Sequence, residues 1–361
     1  MRPMKLRDLP VAWAAPLLAL CLLCDGPMRL KAQQAAPPAS AEPQLVILDT
    51  DIGDDIDDAF ALALVLKSPE LKLLGVTTEF GDTELRARLV NRYLQAVGWR
   101  YIPVAAGVPT KTSNVFTQRA YAERKGGGVE PADACSERLL SVNEAPILKR
   151  EQELYDECER ECHDAVGFIL RNAEERPGQV TLICIGPLFN VQEAIARDAA
   201  TFRKLKRVVL MGGSVYRGYD GPDGAERPPE PEWNILNDPA GARALLASGA
   251  PIYMMPLDST QIRLDQPAQA RVFSNGSALT DQLTMLYHEW SGTGPWKAPT
   301  LYDPVAVTYA IRPELCPVTP MRLEVDEKGD TRPTEGVPNV EVCLHSDKQG
   351  FLEFLLGRIL D

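Results

Sequence analysis

Residues 45–64 read LVILDTDIGDDIDDAFALAL. An apolar, β-branched run, Leu45-Val46-Ile47-Leu48, leads into six aspartates within ten positions: Asp49, Asp51, Asp54, Asp55, Asp57 and Asp58. An alanine- and leucine-rich run follows. The first run has the composition of a buried strand and the last that of a helix, so the acidic cluster is a strand-to-helix loop. Carboxylates crowded into a partly dry loop repel one another by roughly several kcal/mol. A multivalent cation removes that cost. Carboxylate oxygens suit hard cations, with about 6–8 ligands for calcium and about six for magnesium. The alternative is a solvated acidic loop that merely caps a helix. Against it, Gly53 stands where a tight turn is needed, and the cluster leaves a core strand.

Outward from this stretch, strand-like and helix-like runs alternate. The pattern predicts strands at 45–49, 72–78, 102–106, 180–185, 207–211 and 251–257. It predicts helices at 57–67, 83–97, 163–174, 190–199 and 238–248. This is the βαβ alternation of an α/β protein: an open, mostly parallel sheet with helices on both faces. Residues 111–160 interrupt it with Gly126-Gly127-Gly128 and many charges, and read as an insertion or lid. Strand-like pieces among turn residues fill 313–345, and 350–360 reads as a closing helix. No internal repeat is present. The polar candidates share one location. Asp49 and Asp51 end the first strand, Thr77, Thr78 and Asp82 follow the second, and Gly186 to Asn190 follow the fourth. Gly212 and Gly213 follow the fifth, and Asp258 the sixth. Open parallel sheets bind their ligands at the carboxyl ends of their strands.

Composition narrows the function. The 361 residues are 45% hydrophobic, enough to bury a sizeable core. A net charge of −12 argues against binding a nucleic-acid backbone and disfavours anionic membranes. Arg2, Lys5 and Arg7 precede an apolar stretch from Leu9 to Leu23, the pattern of an export signal. We assign residues 1–32 to a signal peptide, 33–43 to a flexible Ala/Pro/Gln leader, and 44–361 to one domain. A secreted or periplasmic protein follows, free of the membrane after cleavage. Export permits disulfides. Cys184 lies in an apolar run and reads as a buried free thiol, whereas Cys135, Cys158 and Cys162 cluster in the insertion and can supply one bridge. Cys158, Cys162 and His163 offer a zinc site only three ligands on one helix-like stretch. The oligomeric state stays open, a homo-oligomer included.

The acidic loop resembles the signature of the inosine–uridine-preferring nucleoside hydrolase family, Asp-x-Asp-x-Gly closed by Asp-Asp-Ala. Here it stands as Asp49-Thr50-Asp51-Ile52-Gly53 and Asp57-Asp58-Ala59, with two residues more between Gly53 and the closing pair than the commonest form. That spacing leaves open whether Asp54 and Asp55 take the place of Asp57 and Asp58. Five further stretches resemble the family in its order. They are Gly75–Asp82, Cys184–Asn190, Met211-Gly212-Gly213-Ser214, Pro231-Glu232-Trp233-Asn234 with Asp238-Pro239, and Tyr302-Asp303-Pro304-Val305-Ala306-Val307. The resemblance runs from about 44 to 345 and implies a nucleoside hydrolase-like fold, a calcium ion and a ribonucleoside substrate. It implies that Asp58, Asp303 and the Ile185 carbonyl hold calcium, and that Glu232 and Asn234 bind ribose hydroxyls. Asp82 stands where relatives carry Asn, an altered ribose contact. Alone, Glu232 and Asn234 read as loop residues, with Asn a helix cap, and Asp303 before Pro304 as a helix N-cap.

The chemistry fits. Cleaving an N-glycosidic bond builds positive charge on the ribose ring, and a water must attack the anomeric carbon. We expect Asp51 to take that water's proton and to touch the metal, and Asp57 to bind a ribose hydroxyl or orient the water. Tyr302 stands where many relatives carry His and is the catalytic candidate beside the leaving base. With an ordinary pKa of about 10 it is a weaker acid than histidinium. His288 is the spare acid, although a solvated helix face suits it better; Trp233, Trp290 and Trp296 read as core. Two rival functions share the Asp-x-Asp strand end or the binding residues. One is a magnesium-dependent phosphatase of the haloacid dehalogenase type, for which no Gly-Asp-x-x-x-Asp stretch is present. The other is a non-catalytic nucleoside- or ribose-binding protein.

Overall fold

A computed structural model describes residues 42–111, 116–124, 164–221, 224–293 and 297–361. The signal, most of the leader, most of the insertion and the cluster Cys135, Cys158 and Cys162 fall outside these residues, as does Trp296.

The apolar runs become strands close to their expected limits. β1 is Gln44–Thr50, β2 Leu71–Thr78, β3 Val104–Ala106, β4 Val180–Cys184, β5 Arg207–Met211 and β6 Ile252–Met255. Four more follow: β7 Val318–Met321, β8 Leu323–Val325, β9 Thr331–Pro333 and β10 Val340–Cys343. Eight strands form one sheet in the order β3-β2-β1-β4-β5-β6-β10-β7. All neighbours in it are parallel except β10 and β7, and β8 pairs antiparallel with β9 apart from this sheet.

Both faces of the sheet are covered, as continuous apolar strands require. In β1, Val46 and Leu48 enter one core cluster while Ile47 enters the other. Helices α1 (Asp57–Leu66) and α2 (Thr83–Ala96) cover the first face. The helices Ala165–Glu175, Phe189–Phe202 and Pro239–Ala247 cover the second. Every residue of α1 is buried, because the helix packs against β2 and against the helices Asp303–Ile311, Ala278–Ser291 and Lys348–Leu360. The chain runs outward from β1 to β3, then returns to place β4 on the other side of β1. Diverging connections leave a crevice at such a reversal, and the acidic loop leaves β1 there.

Cys316 and Cys343 form a disulfide that ties the segment before β7 to the end of β10. Cys184 is the buried free thiol expected of it.

Candidate active site

The floor of the site is made by two helix N-termini. Asp57 and Asp58 open α1, and Asp303 opens the helix Asp303–Ile311 packed beside it. Ligand oxygens of Asp57, Asp58 and Asp303 lie within 4.8 Å of one another, and all three residues are buried. The Asp57 Oδ2 accepts the backbone N–H groups of Tyr302 at 3.1 Å and Asp303 at 3.2 Å. Asp58 Oδ1 accepts the Thr50 hydroxyl at 2.5 Å. Positive helix ends favour carboxylates here, but only partly. Burial, then the charges of neighbouring aspartates, pushes Asp57, Asp58 and Asp303 well above the ordinary carboxylate range. Asp51 is pushed to about 7, chiefly by burial, with Arg86 opposing the rise. Buried, converging, mutually repelling oxygens are a donor set for a hard divalent cation, which would hold them all ionised.

Close approach decides the glycine after β4. A Cβ on Gly186 would lie 2.4 Å from Glu79 Oε1 and 2.9 Å from Asp51 Oδ1. Beneath, Asp49 Oδ1 accepts the Thr77 hydroxyl at 2.5 Å and the Asn190 amide at 2.8 Å. These polar groups at three strand ends brace one another rather than facing the cavity.

Across the floor stands a wall from the turn after β5. Glu232 caps the helix Trp233–Asn237: its carboxylate accepts the N–H groups of Asn234 at 2.9 Å, Ile235 at 3.2 Å and Gly213 at 2.9 Å. Burial raises Glu232 to about 7 against these bonds. Asn234 Nδ2 donates to the Met211 carbonyl at 3.1 Å. Asp258, after β6, accepts the N–H groups of Val215 and Tyr216 at 2.9 and 2.8 Å. That anchors the loop that delivers Tyr219, whose hydroxyl accepts the Trp233 N–H at 2.9 Å. The Tyr219 ring meets Tyr302 edge to face at 6.0 Å. Floor and wall enclose a cavity of about 290 Å³.

Asp51, Asp57, Asp58, Ile185, Glu232, Asn234, Tyr302 and Asp303 all line this cavity. Residues more than 250 positions apart in the chain therefore meet in one place. Asp82 does not line it. Its carboxylate accepts the Leu85 N–H at 3.0 Å and caps α2, facing solvent. His288 is exposed on the helix Ala278–Ser291, against Phe273. Trp233, expected in the core, is 47% exposed in the cavity wall. Asp54 and Asp55 also line the cavity, yet the converging oxygens come from Asp57 and Asp58. Sequence reasoning missed Tyr219, carried by an irregular loop, and Arg86, which looks like any helical arginine.

Residues 46–353 match the inosine-uridine preferring nucleoside hydrolase family. The chain belongs to this family. It is an enzyme, a nucleoside hydrolase of a metal-dependent family, and the phosphatase alternative falls away. Among curated relatives, uridine nucleosidase 1 of Arabidopsis thaliana is 27% identical over 87% of this chain and 93% of its own. The pyrimidine-specific ribonucleoside hydrolase RihA of an Enterobacter species is 29% identical over 87% of this chain and 97% of its own. Two solved structures share the fold. A plant nucleoside hydrolase superposes with a TM-score of 0.66 at 23% identity, covering 88% of this chain and 99% of that one. A purine-preferring ribonucleoside hydrolase from Gardnerella vaginalis superposes with a TM-score of 0.64 at 24% identity, covering 88% and 98%.

Proposed function

We propose that this nucleoside hydrolase cleaves ribonucleosides to ribose and free base with a calcium ion held by Asp51, Asp58, Asp303 and the Ile185 carbonyl. The observation that carries the proposal is the meeting of buried oxygens of Asp58 and Asp303, with Asp57, within 4.8 Å of one another, in a cavity that Asp51 and Ile185 also line opposite Glu232 and Asn234. When bound, calcium holds vicinal ribose hydroxyls and makes a bound water more acidic. The protein's own groups do the rest. Asp51 takes the proton of the attacking water. Asp57 binds a ribose hydroxyl or orients that water, and Glu232 and Asn234 bind sugar hydroxyls. The surrounding negative field stabilises positive charge on the ribosyl ring as the bond breaks. Burial pushes the Tyr302 hydroxyl above its ordinary range, so it keeps its proton at neutral pH and gives it up reluctantly. The base therefore departs mainly because ribosyl charge is stabilised.

The test is a panel of purine and pyrimidine ribonucleosides, uridine first, incubated with calcium or with a chelator while released reducing sugar is measured. Calcium-dependent release is expected, and release unaffected by the chelator would overturn the metal assignment. The same proposal includes export, with residues 1–32 removed. The Cys316–Cys343 disulfide supports it, because such bonds persist in oxidising compartments. Intact mass of the mature protein checks the cleavage.

A further inference from the structure

Arg86, on the first face of the sheet, is completely buried. Burying a guanidinium is costly unless every direction of its fork finds an acceptor. Here Nε–H donates to the Phe80 carbonyl at 2.7 Å. Nη1 donates to the carbonyls of Asp51 and, at 2.9 Å, Ile52. Nη2 pairs with Asp54 Oδ2 at 2.9 Å. The Phe116 ring covers the guanidinium carbon, 5.3 Å from its centroid.

The same loop is gripped from its other side. The Gln118 N–H donates to the Gly53 carbonyl at 3.0 Å, the Thr117 hydroxyl to the Asp54 carbonyl at 2.6 Å, and the Gln118 side-chain amide to the Asp55 carbonyl at 2.8 Å. Each carbonyl from Asp51 to Asp55 thus has a donor from outside the loop. Gly53, at φ +124°, allows no Cβ, which would lie 2.3 Å from the Phe116 ring. Arg86 reaches the opposite wall as well. Its acceptor Phe80 has φ +62°, a conformation bulky residues avoid. The Phe80 ring stacks on Phe189 at 5.9 Å and meets Trp233 edge-on at 6.3 Å, and Trp233 adjoins the Glu232 and Asn234 pair.

We propose that Arg86, with Asp54 and the Thr117-Gln118 segment, is the positioning device that fixes the acidic loop for metal and sugar. The inference rests on the calcium assignment above. It gives the two extra loop residues a use: Asp54 turns a carboxylate oxygen to the guanidinium, and the lengthened backbone is held carbonyl by carbonyl. A lysine would keep the charge and lose the fork.

Isothermal calorimetry with calcium alone tests this on the full-length protein, with circular dichroism to establish folding and KM and kcat followed at saturating calcium. Arg86→Lys and Asp54→Asn are compared with Arg207→Lys. Arg207 is a partly buried guanidinium at the end of β5 away from the site, bonded to Gln44 at 2.9 Å. Partners of metal ligands typically set affinity by about 10–100-fold. Arg86→Lys should weaken calcium binding by about that factor, Asp54→Asn by less, and Arg207→Lys not at all. In folded Arg86→Lys, calcium affinity within about twofold of the wild type overturns the inference, as does an equal loss in Arg207→Lys. Should Arg86→Lys fail to fold, Asp54→Asn decides, and unchanged affinity there overturns it. A wild-type protein that takes up no calcium overturns the calcium assignment itself, before any variant is compared.

Discussion

At Tyr302 the chain departs most clearly from the signature it otherwise follows. Burial pushes the phenol above its ordinary range, and the rings of Tyr219 and Tyr302 meet where an imidazole would be expected. If leaving-base protonation contributes little, p-nitrophenyl riboside should be cleaved faster than inosine by about the 10²–10⁴-fold that general-acid assistance supplies. Tyr302→Phe should leave the p-nitrophenyl riboside rate nearly unchanged, as parallel steady-state assays would measure. Brisk inosine hydrolysis lost in Tyr302→Phe would instead make Tyr302 the acid. Glu232 has a different signature. Its carboxylate holds three backbone N–H groups, so Glu232→Gln keeps the shape and loses charge and acceptor capacity. Ribonucleoside kcat/KM should fall by about tenfold or more, while 2′-deoxynucleosides, lacking one hydroxyl, should be poor substrates for both proteins. Equal rates on ribo- and deoxyribonucleosides would remove the sugar clamp. Asp51, Asp57 and Asp58 were visible in the sequence because acids beside a core strand are conspicuous, whereas Glu232 and Asp303 stood out only through the family resemblance. Arg86 was not visible, since nothing in a helical Arg-Ala-Arg pattern reveals which guanidinium turns inward.

Among elements, the six parallel strands β1–β6 were readable because burial on both faces demands continuous apolar runs. Of the helix Asp303–Ile311 only the start, at Asp303-Pro304, was legible, for the same physical reason. Its sequence, DPVAVTYAI, is apolar all round and rich in valine, with no periodicity to separate it from a strand. It is buried from Asp303 to Ala310, packed by α1, by β4, β5 and β6, and by the helix Lys348–Leu360. The helix Ala278–Ser291 starts with a capping box built from Ser277 and Thr280, without the acidic residue that usually marks one. The Cys316–Cys343 pairing was equally unforeseen, because 27 residues and three short strands separate the two cysteines. Loop-closure entropy for that separation is worth about 3 kcal/mol. Cys343→Ser should therefore lower unfolding free energy in urea by about 3 kcal/mol. Calcium affinity should stay unchanged, since the bond lies at the β7 edge of the sheet, away from the acidic loop. A loss of calcium binding would show that the edge strands govern the site.

On the scale of the whole molecule, the site concentrates repulsion that the fold must tolerate. Asp49 is raised to about 6, Asp51 and Glu232 to about 7, and Asp57, Asp58, Asp303 and Glu79 well above the ordinary carboxylate range, burial being the leading cause each time. In the unfolded chain these groups titrate near 3.8 for Asp and 4.5 for Glu. Between those values and the raised ones, the metal-free folded protein binds more protons than the unfolded chain. Stability then falls as pH rises, the opposite of a salt-bridged carboxylate. A bound cation reverses the preference by holding the carboxylates ionised, and its binding releases protons. The melting temperature in chelator should accordingly drop between about pH 4 and about pH 7. With calcium in excess it should change much less, so the gap between the two curves widens with pH. Calcium at about one hundred times its dissociation constant should add about 2.7 kcal/mol. Differential scanning calorimetry at matched ionic strength measures both curves. Parallel curves, or a chelated protein that grows more stable with pH, would mean that the buried carboxylates are already ionised and paired without a metal. That would leave the acidic loop as a brace for the sheet, with hydrolysis resting on the protein's own groups alone.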